Sequence, residues 1–206
     1  MNTMDKKRLY CFDFDGTLTS HDTLLAFIAY VHGGFKLFMT LLRFSPQLVA
    51  MKLRLYPNWL AKQRVFSHLF RGMSLEEFNR HCRDFAASDG HLIRPRARTS
   101  LHSLLAGGNR VVVISASVEN WVRPFFEAMD DGKDIVFLCT QVETRDGLLT
   151  GRFLTANCYG PEKVNRLRAI LSAPRERYFI IAYGDSRGDR ELLSYADEGH
   201  YKPFRR

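Results

Sequence analysis

The chain has 206 residues, of which 46% are hydrophobic and 25% charged. These values fit one globular domain with an insertion, or one large and one small domain, and they exclude a disordered or low-complexity protein. The net charge of +8 attracts anions such as phosphorylated metabolites, nucleic acid or anionic lipid headgroups, although a soluble protein with surplus Lys and Arg is the simpler interpretation.

Cysteine usage and the first residues bear on the cellular compartment. The stretch 1–8 is polar and basic, without the apolar segment of a secretory signal. The cysteines are scattered and form no Cys-x-x-Cys pair, which predicts free thiols rather than disulfides or a zinc site. They are Cys11, Cys82, Cys139 and Cys158. We therefore expect a cytoplasmic protein.

The first predicted element is a short buried strand at residues 9–12, followed by Asp13, Asp15 and Gly16. On a continuing strand the two aspartates point the same way, and the glycine permits a sharp turn. Crowded carboxylates require a cation, a shared proton or both. The pair therefore indicates a chemical site, rather than a strand end with an Asx turn.

Residues 22–89 contain helical patterns and no predicted strand. Gly33-Gly34 and Ser45-Pro46 interrupt the apolar spacing, and Ser74 with Glu77 predicts a capped helix start. The predicted helices are 24–31, 35–44, 48–55, 57–70 and 75–87. We predict a helical cap domain at 21–90 and a core domain formed by 1–20 and 91–206.

The cap segment 35–44 is rich in aromatic residues and leucine, with basic residues interleaved. One interpretation is a cap that packs on itself, and the other is an amphipathic surface that meets a membrane or a lipid tail. Lys36, Arg43, Lys52 and Arg54 argue against a membrane-spanning helix here.

From residue 91 onward, predicted strands alternate with helices. The helices are 96–106, 118–129, 162–171 and 190–195, the strands are 111–114, 135–138, 178–182 and 199–202, and a hairpin covers 141–155. This order predicts an α/β fold with a Rossmann-like, doubly wound parallel sheet and the helical cap inserted after strand one. Ligands of such folds bind at the carboxyl ends of the strands.

Polar residues follow three of the predicted strands at that edge. Asp13 and Asp15 follow the first strand, and Asp185 and Asp189 follow a late one. Oxygen ligands without histidine or cysteine suit Mg²⁺ better than zinc.

Phosphate ligands are predicted beside these carboxylates. Ser115 follows the second core strand, and its hydroxyl with the N–H groups of Ala116 and Ser117 can hold a phosphate oxygen at a helix N-terminus. Lys163 can add a positive charge. A metal and a lysine that face clustered carboxylates describe a phosphoryl-transfer site.

These residues, in this order, resemble the haloacid dehalogenase superfamily of phosphatases. The resemblance implies that Asp13 is the nucleophile and Asp15 the general acid and base. It implies that Mg²⁺ is held by Asp13, the carbonyl of Asp15 and Asp185, with Asp189 in support. Ser115, Ala116 and Lys163 would bind the phosphoryl group.

The inserted cap and the hairpin resemble the phosphoserine-phosphatase-like branch, with two departures. Ser186 and Gly188 stand where many phosphoserine phosphatases carry glycine and asparagine. Asp22 stands where a glutamate reads the substrate amine. The Gly160–Lys163 stretch and the apolar cap also resemble the phosphatidylglycerophosphatase C-like group.

The predicted function is Mg²⁺-dependent hydrolysis of a phosphomonoester through an aspartyl-phosphate. The substrate is either a small phosphorylated metabolite or a phospholipid headgroup, and the second implies peripheral contact with an anionic membrane at its inner face. The alternative is a protein that only recognises phosphate, including that of nucleic acid. The pair of Asp13 and Asp15 disfavours this alternative, because binding does not need the second carboxylate.

Overall fold

The computed structural model describes residues 6–127 and 135–205. Its first half contains β1 (Lys7–Phe12), α1 (Thr23–Arg43), α2 (Ser45–Lys52), α3 (Asn58–Phe70), α4 (Leu75–Ser88), α5 (Pro95–Ala106) and β2 (Arg110–Val118). Its second half contains α6 (Glu119–Val122), α7 (Pro124–Glu127), β3 (Val136–Thr140), β4 (Val142–Arg145), β5 (Leu148–Phe153), α8 (Pro161–Ala169), β6 (Tyr178–Gly184), α9 (Arg190–Tyr195) and β7 (Glu198–Tyr201).

Five strands form a parallel sheet in the order β3-β2-β1-β6-β7. Side chains of β1 alternate between two apolar layers. Tyr10 and Phe12 pack on the side of α5 and the cap, and Leu9 and Cys11 pack on the side of α8 and α9. A strand buried on both faces needs a nearly continuous apolar sequence, which is the pattern at the centre of the sheet. The predicted doubly wound α/β fold is confirmed.

In the core, the second strand and the helix after it differ from the prediction, and in the cap α2 begins at the predicted break, Ser45-Pro46. The strand predicted at 111–114 continues to Val118, with a register shift against β3 between Ser115 and Val118. The helix predicted at 118–129 is divided into α6 and α7 at Pro124, since proline has no N–H to continue the hydrogen bonding. The last two residues of that prediction lie outside the described residues.

Helix α1 bends where the sequence predicted a stop. Gly33 has φ +81° and ψ 156°, so the halves on either side of it are separate helical segments. Phe27 in the first half is buried against Phe70, Phe85 and Trp121. This half is therefore fixed to both the cap and the core.

The β4–β5 hairpin attaches to the cap helices. The N–H of Gly72 donates to the carbonyl of Leu149 at 2.8 Å, and the N–H of Leu149 donates to that of Met73 at 2.9 Å. Gly151 lies so close to Ser67 of α3 that a Cβ there would be 2.5 Å from its Oγ. The sequence assigned this hairpin to the core domain, and the domain boundaries stay a prediction.

Candidate active site

Asp13 lies directly after β1, at the carboxyl edge of the sheet. Its N–H donates to the carbonyl of Tyr183 at 2.9 Å, which continues the pairing between β1 and β6. Its buried carboxylate accepts a hydrogen bond from Lys163 Nζ at 2.6 Å on Oδ1 and from Thr17 Oγ1 at 3.0 Å on Oδ2. Two donors thus fix its orientation.

The turn after Asp13 requires a glycine. Gly16 has φ +76°, and a Cβ there would be 2.6 Å from Asp185 Oδ2. A side chain at this position would strain the backbone and push the loops after β1 and β6 apart. The missing side chain therefore lets two carboxylate-bearing loops meet.

Asp189 organises the loop that follows β6. Its Oδ2 accepts hydrogen bonds from the N–H of Asp185 at 3.2 Å, and from the N–H and hydroxyl of Ser186 at 2.9 and 2.8 Å. Its Oδ1 accepts one from Lys163 at 2.6 Å. With both oxygens engaged by the protein, Asp189 acts mainly by positioning the loop and the lysine.

Lys163 is buried at the start of α8, between the carboxylates of Asp13 and Asp189. Burial alone would lower its pKa, but the two carboxylates outweigh burial and raise that pKa above its ordinary value. The ammonium therefore stays charged across the physiological range.

Burial raises the pKa of Asp13 to about 7, since loss of hydration outweighs the attraction of Lys163. Burial also raises the pKa of Asp185, with a further contribution from Asp189. Both shifts result mainly from burial, and a further cation bound between the two carboxylates would oppose them.

Oxygens of Asp13, Asp185 and Asp189 lie within 4.8 Å of one another. The charged partner of Asp185 is Arg205, whose guanidinium donates to Oδ2. A set of hard carboxylate oxygens with too little positive charge fits Mg²⁺. Asp13 and Asp185 are the side chains best placed to hold it.

Asp15 faces the cap rather than this cluster. Its Oδ1 accepts hydrogen bonds from the N–H of Thr23 at 2.7 Å and its hydroxyl at 2.6 Å. Its Oδ2 accepts one from the Ser117 hydroxyl at 2.5 Å. The carboxylate of Asp13 is thus bound within the core, whereas that of Asp15 is bound by both α1 of the cap and β2 of the core.

Ser115 is buried in the cavity floor, but not at a helix start. Its Oγ accepts a hydrogen bond from the N–H of Ser117 at 3.0 Å, and α6 begins only at Glu119. The expectation of a helix N-terminus at Ser115–Ser117 is wrong, because β2 continues as an irregular strand. The carbonyl of Ala116 accepts from Lys62 Nζ at 2.7 Å and from Thr140 Oγ1 at 2.9 Å.

A cavity of about 680 Å³ connects these residues with the cap. Asp13, Asp15, Ser115, Lys163 and Asp185 are at its polar floor. Its wall is apolar and comes from the cap helices. The wall contains Leu24, Leu25, Leu41, Leu48, Met51 and Val65.

Asp22 lies at the boundary between floor and wall. Its Oδ1 accepts a hydrogen bond from the N–H of Leu24 and caps α1. Burial and the nearby Asp15 raise its pKa, whereas Lys62 lowers it. The capping hydrogen bond alone is a sufficient reason for an aspartate at this position. The role of Asp22 in substrate selection stays a prediction.

Sequence reasoning assigned no role to four polar residues of the site and a different role to a fifth. Thr17 lies inside the first motif and was detectable there. Thr23, Lys62 and Arg205 meet the site only through the fold. Ser117 was expected to offer its N–H to phosphate, and its hydroxyl instead contacts Asp15.

Comparisons with known proteins find matches over most of the chain. A family model described as haloacid dehalogenase-like hydrolase matches residues 11–194. Protein CicA of Caulobacter vibrioides is 33% identical over 198 residues, which cover 96% of this chain and 86% of CicA.

Solved structures share the fold at lower identity. A Bordetella pertussis Tohama I protein of unknown function has a TM-score of 0.78 at 21% identity, with 92% of this chain and 86% of that chain covered. An apo phosphoserine phosphatase has a TM-score of 0.63 at 20% identity, with 93% and 84% covered.

Proposed function

This chain belongs to the haloacid dehalogenase-like hydrolases, and we propose that it hydrolyses phosphomonoesters with Mg²⁺ and with Asp13 as nucleophile. The observation that carries the proposal is the buried Asp13 carboxylate at the cavity floor, held by Lys163 at 2.6 Å and clustered with Asp185. A bound Mg²⁺ would neutralise charge on the carboxylates and on the phosphoryl group.

In the first step, a carboxylate oxygen of Asp13 attacks phosphorus and the bond from phosphorus to the leaving oxygen breaks. Lys163 offsets negative charge on the phosphoryl oxygens. Asp15 gives its proton to the leaving oxygen, so the product departs as an alcohol. The product of this step is an aspartyl-phosphate on Asp13.

In the second step, Asp15 accepts a proton from water as the water oxygen attacks phosphorus. The bond between Asp13 and phosphorus breaks, and inorganic phosphate leaves. Asp15 can serve both steps because Thr23 and Ser117 hold it at the cap side of the cavity, towards which the leaving group extends. Their donors position its carboxylate for proton transfer in either direction.

The cavity supports two substrate classes. A small phosphorylated metabolite would use the polar boundary at Asp22 and Lys62. A phospholipid headgroup would place its apolar part along the wall of leucines and Met51. We favour the lipid class, because the apolar wall begins next to the floor.

We also propose a cytoplasmic location. Its support is that Cys11, Cys82, Cys139 and Cys158 are all free and buried, a state that a reducing compartment preserves.

Turnover of p-nitrophenyl phosphate by purified protein tests the reaction. We expect activity with Mg²⁺, loss of activity with a chelator, and loss of at least about 10³-fold in Asp13→Asn. Asp146→Asn is the matched control, since this exposed hairpin aspartate has φ +52°, a conformation that asparagine tolerates.

Mass spectrometry of acid-quenched wild-type enzyme should show an added phosphate on the peptide that contains Asp13. Full activity of Asp13→Asn would show that Asp13 is not the nucleophile. Phosphate binding by the wild-type protein without any turnover would favour the alternative of a recognition protein. Parallel assays with phosphoserine and dispersed phosphatidylglycerophosphate separate the substrate classes.

A further inference from the structure

The second half of α1, the helix α2 and the short segment after α2 present an apolar surface to solvent. Phe35 and Leu55 are 80% and 78% exposed. Between them, further large side chains are also exposed: Phe38, Met39, Leu42, Val49 and Leu53. We call these seven residues, together with Trp59 at the start of α3, the cap apolar surface. Single exposed apolar residues are normal on a protein surface, but eight large ones within one short part of the chain indicate an interaction site.

The exposed apolar residues of α1 lie on one face of the helix. Phe35, Phe38, Met39 and Leu42 follow the i, i+3, i+4, i+7 pattern of one helix face. On the opposite face, Leu37 and Thr40 are more buried, and Leu41 lines the cavity. Both faces of this helix are therefore apolar, and only one of them is covered by protein.

The charge of the cap is one-sided. From Thr23 to Leu75 the chain contains no Asp or Glu, and it contains seven Lys or Arg residues. These residues are Lys36, Arg43, Lys52, Arg54, Lys62, Arg64 and Arg71. Lys36, Arg43, Lys52 and Arg54 are exposed beside the cap apolar surface.

We propose that the cap apolar surface docks on an anionic membrane, with α2 and the second half of α1 lying in the plane of the interface. Apolar side chains would enter the boundary between headgroups and acyl chains, and the four exposed basic residues would meet lipid phosphates. Trp59 suits the same interface, because tryptophan combines an apolar ring with an N–H donor.

A second copy of this chain is a poorer occupant. A symmetric dimer through this surface would bring two acid-free, basic segments together, and like charges at an interface oppose association. An anionic lipid surface supplies the missing negative charge. The observed charge therefore favours the membrane.

Docking in the plane also fits the bend in α1. By length and mean hydropathy, 1.5, α1 is the one described helix that could cross a membrane. Gly33 breaks its direction, and Phe27 and Ile28 of the first half are fully buried in the protein. The most exposed apolar side chains of α1 lie in its second half, which is therefore the part placed to contact lipid. Leu41 and Leu48, on the inner side of the same two helices, line the cavity, so docking would place the cavity wall next to the headgroup layer.

Co-sedimentation with vesicles tests the docking. We expect wild-type protein to bind vesicles of equal parts phosphatidylcholine and phosphatidylserine, and to bind pure phosphatidylcholine vesicles much more weakly. The variant Lys36→Gln, Arg43→Gln, Lys52→Gln should lose about fivefold in binding for each charge removed. Its control, Arg80→Gln, Arg96→Gln, Arg177→Gln, removes the same charge from exposed positions elsewhere and should bind more strongly than the cap variant.

Leu42→Ser tests the apolar contribution to vesicle binding. Its control is Leu148→Ser on the hairpin, because the two leucines have similar exposed fractions, 56% and 46%. Phe35→Ser, Phe38→Ser, Leu42→Ser should abolish vesicle binding and keep turnover of p-nitrophenyl phosphate, since none of the three lies among the described residues that line the cavity. Preserved turnover would show that the variant folds.

Equal vesicle binding by the cap variants and their controls would overturn the proposal. A concentration-dependent dimer that these variants convert to monomer, without vesicle binding by the wild type, would assign the surface to a second copy instead. The docking does not depend on the proposed reaction, because vesicle binding and aryl phosphate turnover are measured separately.

Discussion

The floor and the wall of the cavity are built in opposite ways. At the floor, Asp13, Lys163 and Asp189 are buried charged groups, and each has a charged partner at 2.6 Å. At the wall, apolar side chains of α1 and α2 form a thin layer whose outer side is again apolar and exposed. A buried charge tolerates few changes in its partners, whereas an apolar wall accepts many shapes. We therefore expect the floor to determine the reaction and the wall to determine which molecule reaches it.

The largest expected effect comes from removal of the Lys163 ammonium at the cavity floor. Lys163→Met leaves Asp13 and Asp189 buried without it, and we expect a loss of about 3–5 kcal/mol in the free energy of unfolding, together with loss of turnover. Urea unfolding followed by circular dichroism measures the first effect.

Lys62→Met is the matched change nearer the wall. Lys62 donates to the carbonyl of Ala116 at 2.7 Å, and burial lowers its pKa although Asp15 and Asp22 oppose that shift. Its loss should cost about 1–2 kcal/mol. Equal costs for the two lysines would remove the distinction between floor and wall.

A further effect concerns the pH dependence of stability, and it is spread over several pH units. The ordinary pKa of Asp13 is 3.8, and burial raises it to about 7 in the folded protein. Its contribution to stability is therefore fully present below about pH 4 and is lost as the pH rises towards 7. In chelator, the free energy of unfolding of the wild type should fall relative to Asp13→Asn by up to about 1.4 kcal/mol per pH unit over this range.

Thermal unfolding at several pH values measures this difference, with Asp146→Asn expected to follow the wild type. Parallel curves for the wild type and Asp13→Asn would mean that the Asp13 carboxylate has an ordinary pKa despite its burial.

The smallest expected effect is at the exposed side of the floor. Arg205→Ala removes the guanidinium that pairs with Asp185, so Mg²⁺ no longer competes with it. Calorimetric titration should show Mg²⁺ binding up to about fivefold tighter, the range of a partly exposed ion pair. Arg177→Ala is the control at an exposed arginine. Weaker Mg²⁺ binding in Arg205→Ala would show that the arginine supports the metal site.

The sequence predicted those parts of the molecule that depend on local patterns. The apolar run before Asp13 and the glycine after Asp15 specify a strand and a turn within eight residues, and the order of strands and helices specifies the sheet. Asp13 and Asp185 follow the carboxyl ends of β1 and β6, and Ser115 lies near the same end of β2. Lys163, at the start of α8, lines the same cavity. Their catalytic and binding roles stay predictions.

The other features depend on contacts between distant segments. Thr23 and Ser117 reach Asp15 from the cap and from β2, and no spacing in the sequence relates these three residues. Ser115 was expected before a helix, but the pairing of β2 with β3 extends the strand to Val118. A short apolar run specifies the centre of a strand better than its end.

The unequal numbers of charges at the floor have a kinetic consequence. When ionised, the four carboxylates of Asp13, Asp15, Asp185 and Asp189 outnumber the cations of Lys163 and Arg205 by two charges. A proton on Asp13 reduces this excess without reversing its sign. A phosphate dianion that arrives first is repelled, whereas a divalent cation that arrives first is attracted and cancels the excess. We therefore expect the cation to bind before the phosphate ester. Phosphate released by turnover should be held least when the cation has already left.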